Sequence, residues 1–185
     1  MYKYHCYLIL LVCSVFAAAG CDEKDKLPEC LDCDFTCIPQ GTTNVVTNDC
    51  KSNFACDMEL HPASKLDYSD DNSGNYIKSG SNLVFRMHLH TDGEVNIADD
   101  EFTDLLYFEI DPATGSFSVE NDELDLLNVR FQQLCFCADV SPKKPASGCM
   151  QGQKLDENHW KVQANLTIEY PSWTKEVKVD AVFKK

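Results

Sequence analysis

The feature that most constrains the fold of this chain is a strict alternation of apolar and polar side chains over residues 159–170. Every second residue from Trp160 to Tyr170 is apolar, and each residue between them is polar. A period of two places alternate side chains on opposite faces of a β-strand. This stretch is therefore predicted to be a strand with one face in a core and the other in water. The same alternation over 175–183 predicts its antiparallel partner, with 171–175 as the connection.

Other apolar runs extend this pattern upstream. They predict strands over 53–60, 82–90, 105–110, 116–120 and 128–140, a polar loop over 61–81, and one short helix over 121–128 capped by Asn121 or Asp122. Many short strands with almost no helix are typical of a β-sandwich or a small barrel. We expect an all-β, antiparallel β-sandwich (Ig-like or jelly-roll-like) that is disulfide-braced, forms one domain over 29–185 and has at most one short helix.

The first twenty residues have the composition of an export signal. Lys3 precedes ten apolar residues, Tyr7–Phe16, and small residues follow. Ten residues are too few to cross a bilayer core, which needs about 20 in a helix. We therefore predict that 1–20 is a removable signal peptide. Cleavage near Gly20 by an ordinary signal peptidase and cleavage before Cys21 are the two alternatives.

The second alternative depends on the residues Ala18-Ala19-Gly20-Cys21. This stretch resembles the lipobox of bacterial lipoproteins, in which cleavage precedes the cysteine and the cysteine sulfur is lipidated. The charged residues 22–26 resemble those that follow the lipidated cysteine in surface-exported lipoproteins of the Bacteroidota, although a solvated tether would have the same composition. The resemblance implies lipidation (diacylglycerol and palmitate-like acyl chains) at Cys21, a tether over 21–28, and location at the outer membrane or cell surface.

The net charge of the mature chain limits the kinds of partner that it can bind. The full chain has 16 basic and 30 acidic residues; removal of 1–20 takes away Lys3 and no acid, which leaves 15 basic residues and a net charge of −15. Such a charge repels phosphate backbones, so we expect no nucleic-acid partner. Attraction of cations or of a basic partner remains open.

The cysteine count supports an oxidised, exported domain. Of eleven cysteines, two lie in the signal and Cys21 would carry lipid, which leaves eight disulfide candidates: Cys30, Cys33, Cys37, Cys50, Cys56, Cys135, Cys137 and Cys149. Five lie near the start and three far downstream, so complete pairing requires at least one bridge between the groups, closing about 80–120 residues. Because Cys135 and Cys137 would point to the same side of one strand, we expect them to bond outside partners, and the N-terminal segment to be pinned against that strand.

The early spacing C-x2-C-x3-C has two other interpretations. Zinc or an iron–sulfur cluster would use Cys30, Cys33, Cys37 and one more thiolate, although such sites usually belong to reducing compartments. A redox centre at Cys30 and Cys33 is disfavoured, because the neighbouring acids Asp32 and Asp34 would raise a thiol pKa.

Two weaker metal patterns occur near the middle of the chain. His88 and His90 lie two apart and would share a strand face with Asp92 following, as a metal pair requires; a plain solvent face is the alternative. A calcium site that is not an EF-hand could use Asp92, Asp99, Asp100, Glu101 or Asp104, and a solvated acidic loop is the alternative there. Among aromatic residues, Trp173 is the candidate platform for sugar and Trp160 belongs to the core. Asn165-Leu166-Thr167 is a glycosylation sequon if the host is eukaryotic.

No hydrolase, metalloprotease or phosphate-binding motif occurs in the sequence. We therefore expect a protein that is not an enzyme, has no cofactor other than a Ca²⁺ ion if the acidic loop holds one, and is attached to the membrane by its lipid. The expected role is binding of a partner protein or ligand as an accessory subunit of an outer-membrane complex for transport, barrel assembly or secretion. The alternatives are a secreted cysteine-rich binding protein without lipid and a metal-dependent periplasmic enzyme.

Overall fold

The computed structural model describes residues 27–30, 33–50, 54–69, 75–91, 101–137 and 139–185. The predicted signal peptide and Cys21 lie outside the described residues. Within the described ranges the chain forms nine strands and one short 3₁₀ helix at Asn121–Leu127. The strands are β1 (Phe54–Leu66), β2 (Ile77–Ser79), β3 (Asn82–Thr91), β4 (Thr103–Ile110), β5 (Ser116–Glu120), β6 (Arg130–Leu134), β7 (Ser147–Lys154), β8 (His159–Tyr170) and β9 (Trp173–Lys184).

The strands form two antiparallel halves that join at one corner. One half has the order β5-β7-β8-β9 and the other β1-β3-β4-β6, with β2 paired to β1. The halves are linked by a parallel pairing of β9 with β1 at Lys184 and Glu59, so the hydrogen-bonded ladder is one mixed, curled sheet. The prediction of an all-β, disulfide-braced fold with one short helix is confirmed. The departures from a purely antiparallel arrangement are this parallel pairing and an isolated parallel bridge between Val46 and Val179.

The core lies between the two halves because the alternating residues of each strand face inward. Phe85 of β3 stacks on Phe108 of β4 with ring centroids 4.3 Å apart. From the opposite half, Trp160 and Phe183 approach Phe85 edge-on at 5.6 and 5.5 Å. All four side chains are buried, which confirms Trp160 as a core residue. Edge-to-face aromatic contacts of this kind stabilise the packing of one sheet face on another.

The expected polar loop over 61–81 is wrong in part, because β1 continues to Leu66 and β2 follows at Ile77. Between them Tyr76 folds back over the outer face of the β1-β3-β4-β6 half and is 2% exposed. Its ring packs edge-on against Tyr107 at 5.6 Å, and its hydroxyl donates to Gln132 Oε1 at 3.2 Å. The apolar residues of this stretch thus contribute to a second small core. The sequence does not indicate this core, because Ser, Asp and Asn residues surround the apolar ones.

The 3₁₀ helix lies where the sequence predicts a helix, and it closes the core between β5 and β6. Leu124 and Leu127 point inward and are buried. The residue that caps its start is Glu120 rather than Asn121 or Asp122, and the Glu120 N–H donates to the Glu123 carboxylate at 3.2 Å.

The predicted strand over 128–140 is too long, because β6 spans only Arg130–Leu134. A bend follows in which the Cys137 N–H donates to the Cys135 carbonyl at 2.8 Å. The bend brings the two Cα atoms to 5.2 Å, and the cysteines bond each other. The expectation that they bond outside partners is therefore wrong: it holds for an extended strand, in which residues two apart are about 6.5 Å from each other.

All eight cysteine candidates are paired, and one bridge joins the two groups as their numbers require. Cys37 bonds Cys149 across a sequence separation of 112. The strand that receives the N-terminal segment is thus β7, and the prediction that it is the strand carrying Cys135 and Cys137 is wrong. The remaining pairs are Cys30–Cys33, Cys50–Cys56 and Cys135–Cys137.

The segment before β1, here called the strap (27–30 and 33–50), crosses the outer face of the β5-β7-β8-β9 half. At β5 the Ser118 N–H donates to the Pro28 carbonyl at 3.0 Å. At β9 the Val46 N–H donates to Lys178 O and the Val46 carbonyl accepts from Asp180 N–H, both at 2.8 Å. The strap therefore covers strand edges at both sides of this half.

Candidate functional site

An apolar cleft lies between the strap, the start of β1 and the end of β3. It has a volume of about 230 Å³. Its lining comes from three elements: the strap, the first residues of β1 and the end of β3. The lining residues are Asn44, Val45, Val46, Thr47, Asp49, Cys50, Phe54, Cys56 and Leu89.

Hydrogen bonds of Val46 and Asn48 and one disulfide hold the walls of the cleft. Val46 is fixed by its two backbone hydrogen bonds to β9, and Asn48 exchanges hydrogen bonds with the Val182 backbone, each at 2.7 Å. The Cys50–Cys56 disulfide then ties the end of the strap to β1. Because its walls are bonded to the sheets, the cleft is preformed.

A buried ion pair bridges the two halves. Lys175 of β9 donates to both carboxylate oxygens of Asp104 on β4, at 2.8 and 2.6 Å. The ammonium group lies 5.1 Å from the ring centres of Phe102 and Phe131. Gln133 donates to the same carboxylate at 2.9 Å. The Asp104 carboxylate is thus engaged by Lys175 and Gln133, and its part in a calcium site stays a prediction.

Burial controls the ionisation of this region. It raises the pKa of Asp104 above its ordinary value of 3.8, although the Lys175 charge opposes the rise. Burial likewise raises the pKa of Tyr170 to about 12, and the Asp104 and Asp139 carboxylates add to the effect. Tyr170 therefore stays neutral and contributes as an aromatic side chain rather than as a base.

Two aromatic side chains, those of Trp173 and Phe136, are exposed. Trp173 is 42% exposed and stacks face to face on Tyr170 at 4.2 Å. The stack occupies one face of the indole, so the predicted sugar platform would use the other face alone. Trp173 is already part of β9, which makes the predicted connection over 171–175 too long. Phe136, inside the Cys135–Cys137 turn, is 87% exposed.

The two histidines predicted to share a strand face do so, on the outer face of β3. Their rings are parallel with centroids 6.5 Å apart. His88 pairs with Asp57 at 3.6 Å, and His90 Nδ1 lies 2.9 Å from the Thr103 hydroxyl. Glu101 is exposed. Within the part of the chain that the structure describes, no three His, Cys, Asp or Glu residues converge as a metal centre would need. The other three metal candidates, Asp92, Asp99 and Asp100, lie outside the described residues.

The sequon residue Asn165 faces the strap from β8. Its amide donates to the Cys37 carbonyl at 3.2 Å, close to the Cys37–Cys149 bridge. A glycan on Asn165 would occupy the space that the strap fills. The geometry of the folded domain therefore opposes the glycosylated alternative.

The cleft residues have no motif that reveals them in the sequence. Val45 and Val46 come from a segment without alternation, and disulfide pairing brings them to Leu89. The one available signal is the odd number of cysteines in each group. It requires a disulfide between the N-terminal segment and the sheet, but it does not identify the cysteines that form it.

The described architecture defines a class: a disulfide-braced all-β domain with a strapped apolar cleft. Comparisons with protein-family models, with curated proteins and with solved structures each found no match. No helix in the described ranges is long and apolar enough to span a bilayer.

Proposed function

We propose that this protein is an exported binding domain, held at the outer membrane by lipid on Cys21, that recognises a partner protein through its apolar cleft. The observation that carries the proposal is the preformed cleft between the strap and the first residues of β1. In this role the protein is an accessory subunit of an outer-membrane complex.

The volume of the cleft favours a protein partner over a free ligand. Pockets that enclose drug-sized molecules typically measure about 300–1,000 Å³. The cleft, at about 230 Å³, is smaller than that range. Its lining of Val46, Phe54 and Leu89 suits a single apolar side chain presented by a partner, as at the centre of many protein interfaces.

The length of the tether supports this arrangement. Leu27 already packs against the core, six residues after Cys21. Six extended residues span about 20 Å. A lipid on Cys21 would therefore hold the β5 side of the domain close to the bilayer. The strap reaches β9 only after crossing the half sheet, three strand spacings of about 4.8 Å each. The cleft wall at Val46, which is bonded to β9, would then lie at the opposite edge of this half from the point of attachment.

Intact mass spectrometry of the mature protein, extracted with mild detergent, tests the anchor. A diacylglycerol with acyl chains on Cys21 gives a mature chain that begins at that cysteine and carries the added mass. A bare or disulfide-bonded Cys21, or a free amino terminus near it with no acyl mass, contradicts the anchor and favours the secreted alternative.

A pull-down from gently solubilised membranes tests the cleft. Val45→Asp places a charge in the cleft wall and should abolish co-purification of the partner. The matched control is Leu155→Asp, which adds the same charge at an apolar residue that is 55% exposed and does not line the cleft. Recovery of the wild-type protein as a free monomer, or equal loss in both variants, would overturn the proposed binding site.

A further inference from the structure

The Cys135–Cys137 disulfide differs from the others in what it joins. Cys37–Cys149 fastens the strap to β7 across 112 residues. Cys135–Cys137 connects two residues of a single bend, with one residue between them. In the chain-entropy account, a disulfide stabilises the fold less as the loop that it closes becomes shorter. A three-residue ring therefore contributes little to stability, and a bracing role does not account for it.

This disulfide is also the most accessible of the four. Cys137 is exposed and Cys135 is half-buried. By contrast, Cys37 is 8% exposed, Cys56 packs against the core, and the Cys30 sulfur lies 3.4 Å from a backbone carbonyl of β5. Thiol–disulfide exchange requires a thiolate to reach a disulfide sulfur, so exposed disulfides are the labile or catalytic ones.

The residues on either side of the ring are held independently of it. Before it, Leu134 pairs with Thr103 in the β4–β6 ladder. After it, the Val140 carbonyl accepts a hydrogen bond from Gln132 at 2.6 Å, and Asp139 pairs with Lys143 at 2.7 Å. Reduction would therefore free two thiols without releasing the chain, and both would stay near each other for re-oxidation.

Phe136 lies at the tip of the ring and is 87% exposed. An apolar side chain this exposed, between two bonded cysteines, offers a contact to an apolar stretch of another polypeptide at the site where exchange takes place. Unfolded exported chains carry both thiols and exposed apolar side chains.

We propose that Cys135–Cys137 is a thiol–disulfide exchange centre that oxidises a pair of thiols in an incompletely folded exported polypeptide, with Phe136 as the contact to that client. This adds a chemical step to the binding role, and it requires neither the lipid on Cys21 nor the cleft.

The exchange proceeds in two steps. A client thiolate attacks Cys137 Sγ, forming a mixed disulfide and breaking the bond to Cys135, which leaves as a thiolate and takes up a proton. The second client thiolate attacks the client sulfur of the mixed disulfide and releases Cys137 as a thiolate, which takes up the second proton. The client loses two electrons and two protons and gains a disulfide, while Cys135 and Cys137 become a dithiol. A small-molecule disulfide such as oxidised glutathione returns them to the oxidised state.

The first test is the order of reduction in the wild-type mature chain. The protein is equilibrated with graded ratios of reduced to oxidised glutathione, alkylated, and mapped by peptide mass spectrometry. Labels should appear on Cys135 and Cys137 under conditions that leave the other six disulfide-bonded cysteines unlabelled. Earlier or simultaneous reduction of another pair, or a different bonding pattern for these two cysteines, overturns the proposal.

The second test follows oxidation of a synthetic peptide with two cysteines flanked by phenylalanines, in the presence of oxidised glutathione. The wild-type protein should accelerate peptide disulfide formation, and Cys135→Ala/Cys137→Ala should abolish the acceleration. Phe136→Ala should slow it about tenfold, the scale of losing one apolar contact in the reacting complex.

Two controls keep this test specific. Leu155→Ala removes an exposed apolar side chain elsewhere, and Cys30→Ala/Cys33→Ala removes another short disulfide; both should retain the wild-type rate. Equal rates for wild type and the Cys135→Ala/Cys137→Ala variant, or loss of activity in the Cys30→Ala/Cys33→Ala variant, would contradict the assignment. A Phe136→Ala variant that keeps the full rate would contradict the role of Phe136 as the client contact.

Discussion

Lys175 and Asp104 lie on opposite halves of the folded sheet and meet inside it, with the ammonium group 2.6 Å from one carboxylate oxygen. The two phenylalanine rings that flank the ammonium group keep most water away, and the lysine side chain is 20% exposed. A pair in this setting contributes to stability only while both charges are present, because either alone is costly to bury.

Replacement of the lysine should therefore be strongly destabilising at neutral pH. We expect Lys175→Met to lower the free energy of unfolding by about 3 kcal/mol at pH 7, measured by urea denaturation. Burial already raises the pKa of Asp104, and loss of the lysine raises it further. A raised folded-state pKa favours the fold below the unfolded value near 3.8, and this advantage is lost as pH rises through the folded pKa. The defect should therefore be smaller at pH 4 than at pH 7. A defect of equal size at both values would contradict the pairing, and Lys175→Met/Asp104→Leu should be nearer to wild type at pH 7.

The disulfide that joins the strap to β7 should carry much of the stability. Its chain-entropy contribution for a separation of 112 residues is about 4–5 kcal/mol. We expect Cys37→Ser/Cys149→Ser to lose roughly that amount in urea denaturation. Cys135→Ser/Cys137→Ser is the matched control, with two cysteines removed from a three-residue ring, and should lose far less. Similar losses in both variants would contradict the pairing described.

Gly152 should not tolerate a side chain. A Cβ at this position of β7 would clash with the ring of Phe117 on β5, which is completely buried. We expect Gly152→Ala to cost about 1–3 kcal/mol because the ring has no free space into which to move. Gly115→Ala is the control, since a Cβ there meets nothing within 4 Å. Thermal denaturation of the two variants gives the comparison, and an unchanged melting temperature for Gly152→Ala would show that Phe117 can repack.

Tyr76 should stabilise the outer face of β3 and β4 through both its ring and its hydroxyl. Tyr76→Phe removes the hydrogen bond to Gln132 and should cost about 1 kcal/mol. Tyr76→Ala also removes the ring packed on Tyr107 and should cost about 3–5 kcal/mol. Urea titrations of the two variants separate these contributions. An equal cost for both would mean that the ring contributes nothing.

A strand of this fold can be predicted from the sequence only as well as its apolar and polar residues alternate. The bounds of β8, His159–Tyr170, are those expected, because twelve residues of strict alternation leave no other register. β7 was not predicted, since Gly148, Gln151 and Gly152 show neither apolar alternation nor β-branching. Its place in the sheet depends on Phe117, whose ring fills the space that a side chain at Gly152 would take. That relation between two distant strands exists only after folding.

The apolar cleft is harder to predict from the sequence than the strands, because its walls also come together only in the folded chain. Its walls come from the strap and from β1 and β3, and Cys50–Cys56 brings them together. The number of cysteines in each group shows that a long-range bridge must exist, but any of several partners would satisfy that requirement. The same local ambiguity led to the wrong pairing for Cys135 and Cys137, because a bend at the end of β6 has no strong sequence signal.

The strap affects how copies of this molecule behave at high local concentration. Backbone groups of Val46 occupy the side of β9 that faces away from β8, Pro28 does the same at β5, and Lys143 exchanges two backbone hydrogen bonds with Phe131 at the outer side of β6. Strand borders left open would recruit neighbouring copies into growing fibrils, a risk that rises steeply with local concentration. With these three borders paired to segments of its own chain, the domain offers neighbouring copies fewer open strand edges at high local concentration.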